Sequence, residues 1–309
     1  MGGCAFLFPG QGSQAVGMAR DLYEQHESVR ARFAEADEVL GFPLSALCFE
    51  GPAERLAQTN VTQPAVFVHS VAANELLAAA GLQPVAVAGH SLGEYSARGV
   101  AGVFSFAEAL TLVGTRGRLM LEAGSEWPGT MGAVIGLDDD HVMALCQQVA
   151  DVGIVVAANF NAPGQVVVSG ERAAVARVSE LATQAGARRV VELAVSGAFH
   201  SPLMASAAVE MEALLEAVPF ARPRVPVLTN VSAEPVEDPE KLRLHLIHQI
   251  TGPVRWSATV QRLAAMGINH AFEVGPGAVL RGLVRRTVPK LAVTLAGTVE
   301  EIVAAKGAE

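Results

Sequence analysis

Hydrophobic positions along this chain form short apolar runs that alternate with longer stretches of helical spacing. That rhythm predicts a largely parallel sheet covered by helices, an α/β fold. Residues 5–8 read as a first strand, ended by Pro9-Gly10-Gln11-Gly12. Residues 85–88 read as a second strand that ends at Gly89. Residues 271–274 read as a third, running into Gly275-Pro276-Gly277 before another helical pattern. All three stop at glycine-rich turns, and in open α/β sheets ligands gather at the carboxyl ends of strands. Residues 21–40 read as one helix.

A different rhythm occupies residues 127–195. Strands at 131–137, 154–159, 165–168 and 189–194 are interleaved with helices at 138–150, capped by Asp138, and at 171–185. That order, βαββαβ, is the ferredoxin-like split unit. It reads as a small domain inserted between residues 1–126 and 196–309 of a larger α/β domain. The chain enters it through Gly124-Ser125-Glu126-Trp127-Pro128-Gly129. No internal repeat or low-complexity tract interrupts the pattern, and residues 304–309 are expected to fray.

Composition narrows the class. With 51% hydrophobic and 17% charged residues over 309 positions, the chain can bury a sizeable core, which excludes a disordered tail. A net charge of −9 argues against a nucleic-acid footprint spread over the surface. The three cysteines, Cys4, Cys48 and Cys146, are widely spaced with no C-x-x-C, which speaks against a zinc ribbon or disulfide scaffold and for a reducing compartment. The first residues lack the positive end of a signal peptide, and Phe6 stands where myristoylation needs Ser or Thr. The most apolar stretch, residues 65–82, carries His69, Asn74 and Glu75, which are costly in hydrocarbon. The expectation is a cytoplasmic protein with no membrane segment and no nucleic-acid partner.

Gly89-His90-Ser91-Leu92-Gly93 matches G-x-S-x-G between an apolar strand and a helical pattern. The two glycines permit a tight strand-to-helix turn that holds the serine Oγ out at the sheet edge. The Leu92 N–H then points, with the helix N-terminus, toward an oxygen on the carbon under attack. The bland alternative is a serine that only caps the helix. A serine nucleophile needs a base. Among eight histidines, His26, His141, His245 and His248 sit in helical, mostly polar stretches, His69 reads as a core residue, and His270 starts a strand. His90 adjoins the serine, but its side chain is expected to point away. His200, in a loop just past a predicted strand, has the better address for a positioned base.

Ser105-Phe-Ala-Glu108 is a capping box, so a helix starts there. Along it Leu112, Arg116 and Leu119 share one face, so Arg116 interrupts an apolar stripe, whereas Arg118 has Glu122 four residues on and reads as solvated. A buried guanidinium needs a bidentate anion. Either an internal carboxylate or a substrate carboxylate satisfies that need. Gly10-Gln11-Gly12-Ser13-Gln14-Ala15 fits G-x-G-x-x-G/A, but no second strand with a terminal acid follows on schedule, which argues against a dinucleotide. The other use of such a loop is backbone N–H groups facing an oxyanion.

These residues, taken with Thr62-Gln-Pro-Ala65, Glu94-Tyr95-Ser96, Asn159-Phe-Asn161, Gly197-Ala-Phe199-His200-Ser201 and Gln249, occur in one order. On them the chain resembles malonyl-CoA:acyl carrier protein transacylases, acyltransferases of fatty acid and polyketide synthesis, along essentially its whole length. The resemblance implies an α/β-hydrolase-like large domain, with the ferredoxin-like insert forming one wall of a cleft. It implies that Ser91 is acylated, His200 is the base, and the Gln249 backbone carbonyl orients the imidazole. Gln11 and Leu92 would donate N–H groups to the oxyanion, and Arg116 would clamp the malonyl carboxylate. Gln63, Asn159 and Phe199 would line the acyl pocket, with Phe199 crowding a methyl branch. No cofactor or metal is implied, since malonyl-CoA is a co-substrate, and the partner is an acyl carrier protein met by a monomer. Arg281, Arg285, Arg286 and Lys290 read either as a solvated helix face or as a steering patch for the carrier or the CoA phosphates. Rival readings are a serine thioesterase or hydrolase, a trans-acting polyketide acyltransferase, and a carrier-binding module without catalysis.

Overall fold

The structure, a computed structural model, describes residues 3–307; the extreme ends, on which the leader, myristoylation and fraying expectations partly fall, lie outside the described residues. Its strands are β1 (Ala5–Phe8), β2 (Ala86–Gly89), β3 (Gly129–Ile135), β4 (Val155–Ala162), β5 (Gln165–Glu171), β6 (Arg189–Glu192), β7 (Val227–Leu228), β8 (Pro235–Val236), β9 (His270–Val274) and β10 (Ala292–Ala296). They form two sheets. The larger runs β10-β9-β1-β2-β7-β8, parallel throughout except for the terminal β7–β8 pair. The smaller runs β4-β5-β3-β6 and is antiparallel.

The larger sheet is covered on both faces, as a parallel sheet must be. Along β1, Phe6 and Phe8 point into one apolar cluster with Val87 and Phe272, while Ala5 and Leu7 point into another with Ala86, Ala88, Ala271 and Trp256. The first cluster is closed by two long helices, Thr59–Ala79 and Phe106–Glu126. The second helix begins as expected. Ser105 Oγ accepts the Glu108 N–H, and the Glu108 carboxylate accepts the Ser105 N–H at 2.8 Å. Its apolar stripe faces inward and carries Arg116 with it, 1% exposed. Arg118 on the outer face pairs with Glu122 at 2.8 Å.

Within residues 129–192 the observed order is strand, helix, strand, strand, helix, strand, with helices Asp139–Gln148 and Arg172–Gln184. The Asp138 side chain accepts the His141 N–H at the first of these, as its cap. Val134, Val166 and Val168 pack with Val142, Val175 and Val178 in a separate core. A bridge joins the two halves. Phe160 N–H donates to the Val254 carbonyl at 2.9 Å, and Val254 N–H donates to the Ala158 carbonyl at 2.8 Å.

Three local expectations need correction. Residues 21–40 form two helices, Arg20–Gln25 and Glu27–Leu40, because His26 adopts an extended backbone (φ −126°, ψ 121°) between them. Gly124, Ser125 and Glu126 belong to the end of the long helix rather than to a connecting loop: a glycine there lets the helix lie against the Ser196–Gly197 backbone. At the other end, residues 304–305 remain helical and Ala305 is fully buried, so the C-terminal segment stays packed further than expected. Among the described residues no helix is long and apolar enough to cross a membrane.

Candidate active site

β2 and the helix Gly93–Ala101 are joined by a turn of three residues with Ser91 at its apex. Two backbones pass so close here that only glycine fits. A Cβ on Gly89 would lie 1.9 Å from the Gly93 carbonyl carbon, and one on Gly93 would lie 2.0 Å from the Phe8 oxygen. The turn forces Ser91 to φ 51°, a left-handed conformation that costs a non-glycine residue about 1 kcal/mol or more. Such strain persists where surrounding contacts over-determine it, and here they do. The Ser91 N–H donates to Asn230 Oδ1 at 2.8 Å, and Gln249 Nε2 donates to the Ser91 carbonyl at 3.0 Å.

His200 also has a positive φ, 58°, and its ring reaches the serine: Ser91 Oγ lies 2.7 Å from Nε2. On the other side Nδ1 lies 2.8 Å from the Gln249 backbone carbonyl. A carbonyl only accepts, so Nδ1 carries the hydrogen and the Nε2 lone pair faces the hydroxyl. Burial, reinforced by the Arg116 guanidinium, pushes the imidazole down to about 3. It is neutral at physiological pH, the form a base requires.

Arg116 reaches the same point from the opposite wall. Its Nη2 donates to Ser91 Oγ at 3.1 Å and to Gln249 Oε1 at 3.2 Å, and its Nη1 donates to Gln63 Oε1 at 2.7 Å. All three partners are neutral, and the guanidinium carbon lies 5.4 Å from the Tyr95 ring centroid. The internal carboxylate partner left open by the sequence is therefore absent from its hydrogen bonds. A buried cation held by neutral groups beside a nucleophile is suited to an incoming anion.

A cleft of about 230 Å³ opens onto these groups. Gln11 and Leu92 lie at its floor; Gln63, Asn159 and Phe199 are buried in its lining with Met120, Met131 and Val167. Every expected catalytic, oxyanion and acyl-pocket residue thus borders one space, except that Gln249 stands behind it. One expectation fails: His90 does not turn away. It is half-buried in the lining, with Nε2 2.8 Å from Asn161 Oδ1, because the turn rotates it toward the smaller sheet. Val279, Leu280 and Leu283 of the helix Val279–Thr287 also border the cleft, and Arg281, Arg285 and Arg286 stand exposed on that helix with Lys290 just beyond it. Arg286 is not wholly free, since it donates to Gln165 Oε1.

Two functional positions had no local signal. Asn230 follows a strand of only two residues, too short to show a period. Glu94 lies on a helix yet is fully buried, paired with Arg98 and accepting from Gln249 Nε2 at 2.8 Å.

Comparison with known proteins identifies the family of the chain and matches its overall fold. The acyl transferase domain family matches residues 5–305. A malonyl CoA-acyl carrier protein transacylase of Escherichia coli is 44% identical over 288 residues, 93% of each chain. The solved malonyl-CoA:acyl carrier protein transacylase of Xanthomonas oryzae superposes with a TM-score of 0.96 at 41% identity, covering 100% of this chain and 98% of that one. A malonyl-transacylase solved in complex with a type II polyketide acyl-carrier protein gives 0.96 at 42% identity, covering 99% and 100%. A match that spans nearly the whole chain, with relatives 44% identical over 93% of it, places this protein in the acyl transferase family.

Proposed function

We propose that the chain transfers a malonyl group from malonyl-CoA to the phosphopantetheine thiol of an acyl carrier protein, through a malonyl-Ser91 intermediate, in fatty acid synthesis. The observation that carries this reading is Arg116, buried, partnered by neutral groups and 3.1 Å from the Ser91 hydroxyl. A carboxylate one methylene beyond the reacting carbonyl is what that cation is placed to hold.

In the first half-reaction His200 Nε2 takes the Ser91 proton as Oγ attacks the thioester carbon. Negative charge develops on the carbonyl oxygen, and the Gln11 and Leu92 N–H groups are the donors we assign to it. Leu92 immediately precedes the helix Gly93–Ala101, whose first-turn N–H groups have no partner within the helix. Loss of one such donor costs about 2.7–4 kcal/mol in comparable sites. Collapse expels the CoA thiolate, which takes the proton from His200. In the second half-reaction the carrier thiol gives its proton to His200 and attacks malonyl-Ser91, and the serine oxygen recovers the proton as it leaves. Gln249 fixes the imidazole, and Gln63, Asn159 and Phe199 shape the acyl pocket. No cofactor enters these steps; malonyl-CoA is a co-substrate, and a cytoplasmic site of action suits it.

We read the larger sheet and its helices, residues 1–126 and 196–309, as an α/β-hydrolase-like domain. Residues 127–195, with strand order β4-β5-β3-β6, we read as a ferredoxin-like insert. The exposed arginines 281, 285 and 286, with Lys290, flank the cleft where an acidic carrier would approach. Reversing the charge of Arg285 and Arg286 is expected to raise KM for the carrier and leave acylation by malonyl-CoA unchanged; an unchanged KM refutes this docking role. For the reaction itself, initial rates with malonyl-CoA and holo carrier are expected to give parallel double-reciprocal lines, with malonyl-carrier as product. Free malonate released at the same rate without carrier would make the protein a hydrolase instead.

A further inference from the structure

Behind the reacting groups lies a fully buried polar cluster that takes no part in the steps above. It consists of Asn230, Glu94 and Arg98, with the Gln249 side chain at its centre, all at 0% exposure. Asn230 spans the nucleophile turn. Its Oδ1 accepts the Ser91 N–H at 2.8 Å, and its Nδ2 donates to the Gly89 carbonyl at 2.6 Å. These two backbone groups bracket His90 on the approach to the strained residue, one of them being that residue's own N–H. Asn230 is in turn fixed: its own N–H donates to Glu94 Oε2 at 2.9 Å, and its carbonyl accepts the Arg255 N–H at 2.9 Å.

The same carboxylate oxygen of Glu94 accepts from Gln249 Nε2 at 2.8 Å, while its other oxygen pairs with Arg98, which also donates to the Leu242 carbonyl. Gln249 holds His200 through its backbone and Ser91 through its side chain. Glu94 therefore anchors both the residue that clamps the nucleophile and the residue that orients the base.

We propose that Asn230 is a positioning residue for acyl transfer, bridging the Gly89 carbonyl and the Ser91 N–H so that the strained serine stays in register with His200, with Glu94 as its anchor. This rests on the malonyl-Ser91 reading. Asparagine is the side chain for the task, because one planar amide presents an acceptor and a donor in the spacing of the two backbone groups. A leucine of similar volume satisfies neither. An aspartate keeps the acceptor but sets a second oxygen against the Gly89 carbonyl until it takes up a proton, after which it again donates there.

The test is single-turnover acylation by malonyl-CoA, followed by intact mass, in which the amplitude gives the competent fraction and the rate constant reports the step itself. For Asn230→Leu the rate constant is expected to fall by about 100-fold, the scale of a misplaced reacting group. For Asn230→Asp the deficit relative to wild type is expected to shrink severalfold between pH 8 and pH 6. A role confined to folding would lower amplitude and leave the rate constant in place. A rate constant within threefold of wild type in Asn230→Leu, or a deficit in Asn230→Asp that ignores pH, overturns the proposal. Should Asn230→Leu fail to fold, Asn230→Asp decides alone. Wild-type protein that is never acylated would instead sink the malonyl-serine reading on which this one stands.

Discussion

Replacing Arg116 by alanine separates the contribution of its charge from that of the rest of the site. A malonyl unit on Ser91 brings its carboxylate to within about 4 Å of the guanidinium, where two unit charges at an effective dielectric of about 20 attract by about 4 kcal/mol. Stripping water from the carboxylate offsets part of this, and charge-assisted hydrogen bonds contribute about 1.5–3 kcal/mol net. Acetyl-CoA carries no carboxylate and gains none of it. Loss of Arg116 should therefore lower kcat/KM for malonyl-CoA by roughly 10–100-fold more than for acetyl-CoA. Some further loss common to both substrates is expected, because Gln63 Oε1 and Gln249 Oε1 each lose a donor. Arg116→Lys should recover little, since a point charge cannot serve the carboxylate and both glutamines at once. The assay is the release of CoA thiol with each thioester in the presence of holo carrier. An unchanged malonyl-to-acetyl ratio in Arg116→Ala would refute the clamp, whatever happens to the absolute rates.

The same structure carries further expected outcomes. Phe199 is buried in the cleft lining, so Phe199→Ala should raise the rate with methylmalonyl-CoA relative to malonyl-CoA; competition between the two thioesters measures it, and an unmoved ratio removes Phe199 as the branch filter. Stability should fall as pH drops from about 6.5 toward 4. His69 and His200 are held neutral in the fold, pushed down to about 4 and about 3 by burial, whereas the unfolded chain protonates both near pH 6.5. Each approaches a loss of about 1.4 kcal/mol per pH unit in that window. Glu273 works in the other direction. Burial lifts it to about 7, so it gains stability as pH falls from 7 toward 4.5, and it offsets roughly one of the two histidines. Urea midpoints at pH 7.5 and 5.0 check the sign. His69→Gln, which keeps the donor to the Gly297 carbonyl, should shrink the difference, and a higher midpoint at pH 5.0 would contradict the assignment.

What could be read beforehand was whatever a local pattern encodes. Gly89 and Gly93 announce a tight turn because two backbones meet there, and Arg116 shows itself by breaking an apolar stripe of fixed helical spacing. The parallel sheet was legible at β1, β2 and β9, whose apolar runs are bounded by glycines. β7 and β8, two residues each, carry no period and went unseen. The break at His26 was hidden because residues on both sides keep helical spacing. Gln249 came only through family resemblance, Glu94 only as part of a resembling stretch with no role assigned to it, and Asn230 not at all, since their roles arise from contacts across 136 to 158 positions of chain. His90 was misjudged for a related reason: the direction of a side chain in a strained turn depends on the sheet that later packs against it.

The central claim is that Ser91, Arg116 and His200 share one bound acid thioester. The most direct measurement is the intact mass of the protein after mixing with malonyl-CoA, for wild type and for Ser91→Ala. The expected result is a single malonyl adduct on wild type alone, discharged when holo carrier is added. An adduct that persists in Ser91→Ala, or one on wild type that the carrier cannot remove, would contradict it.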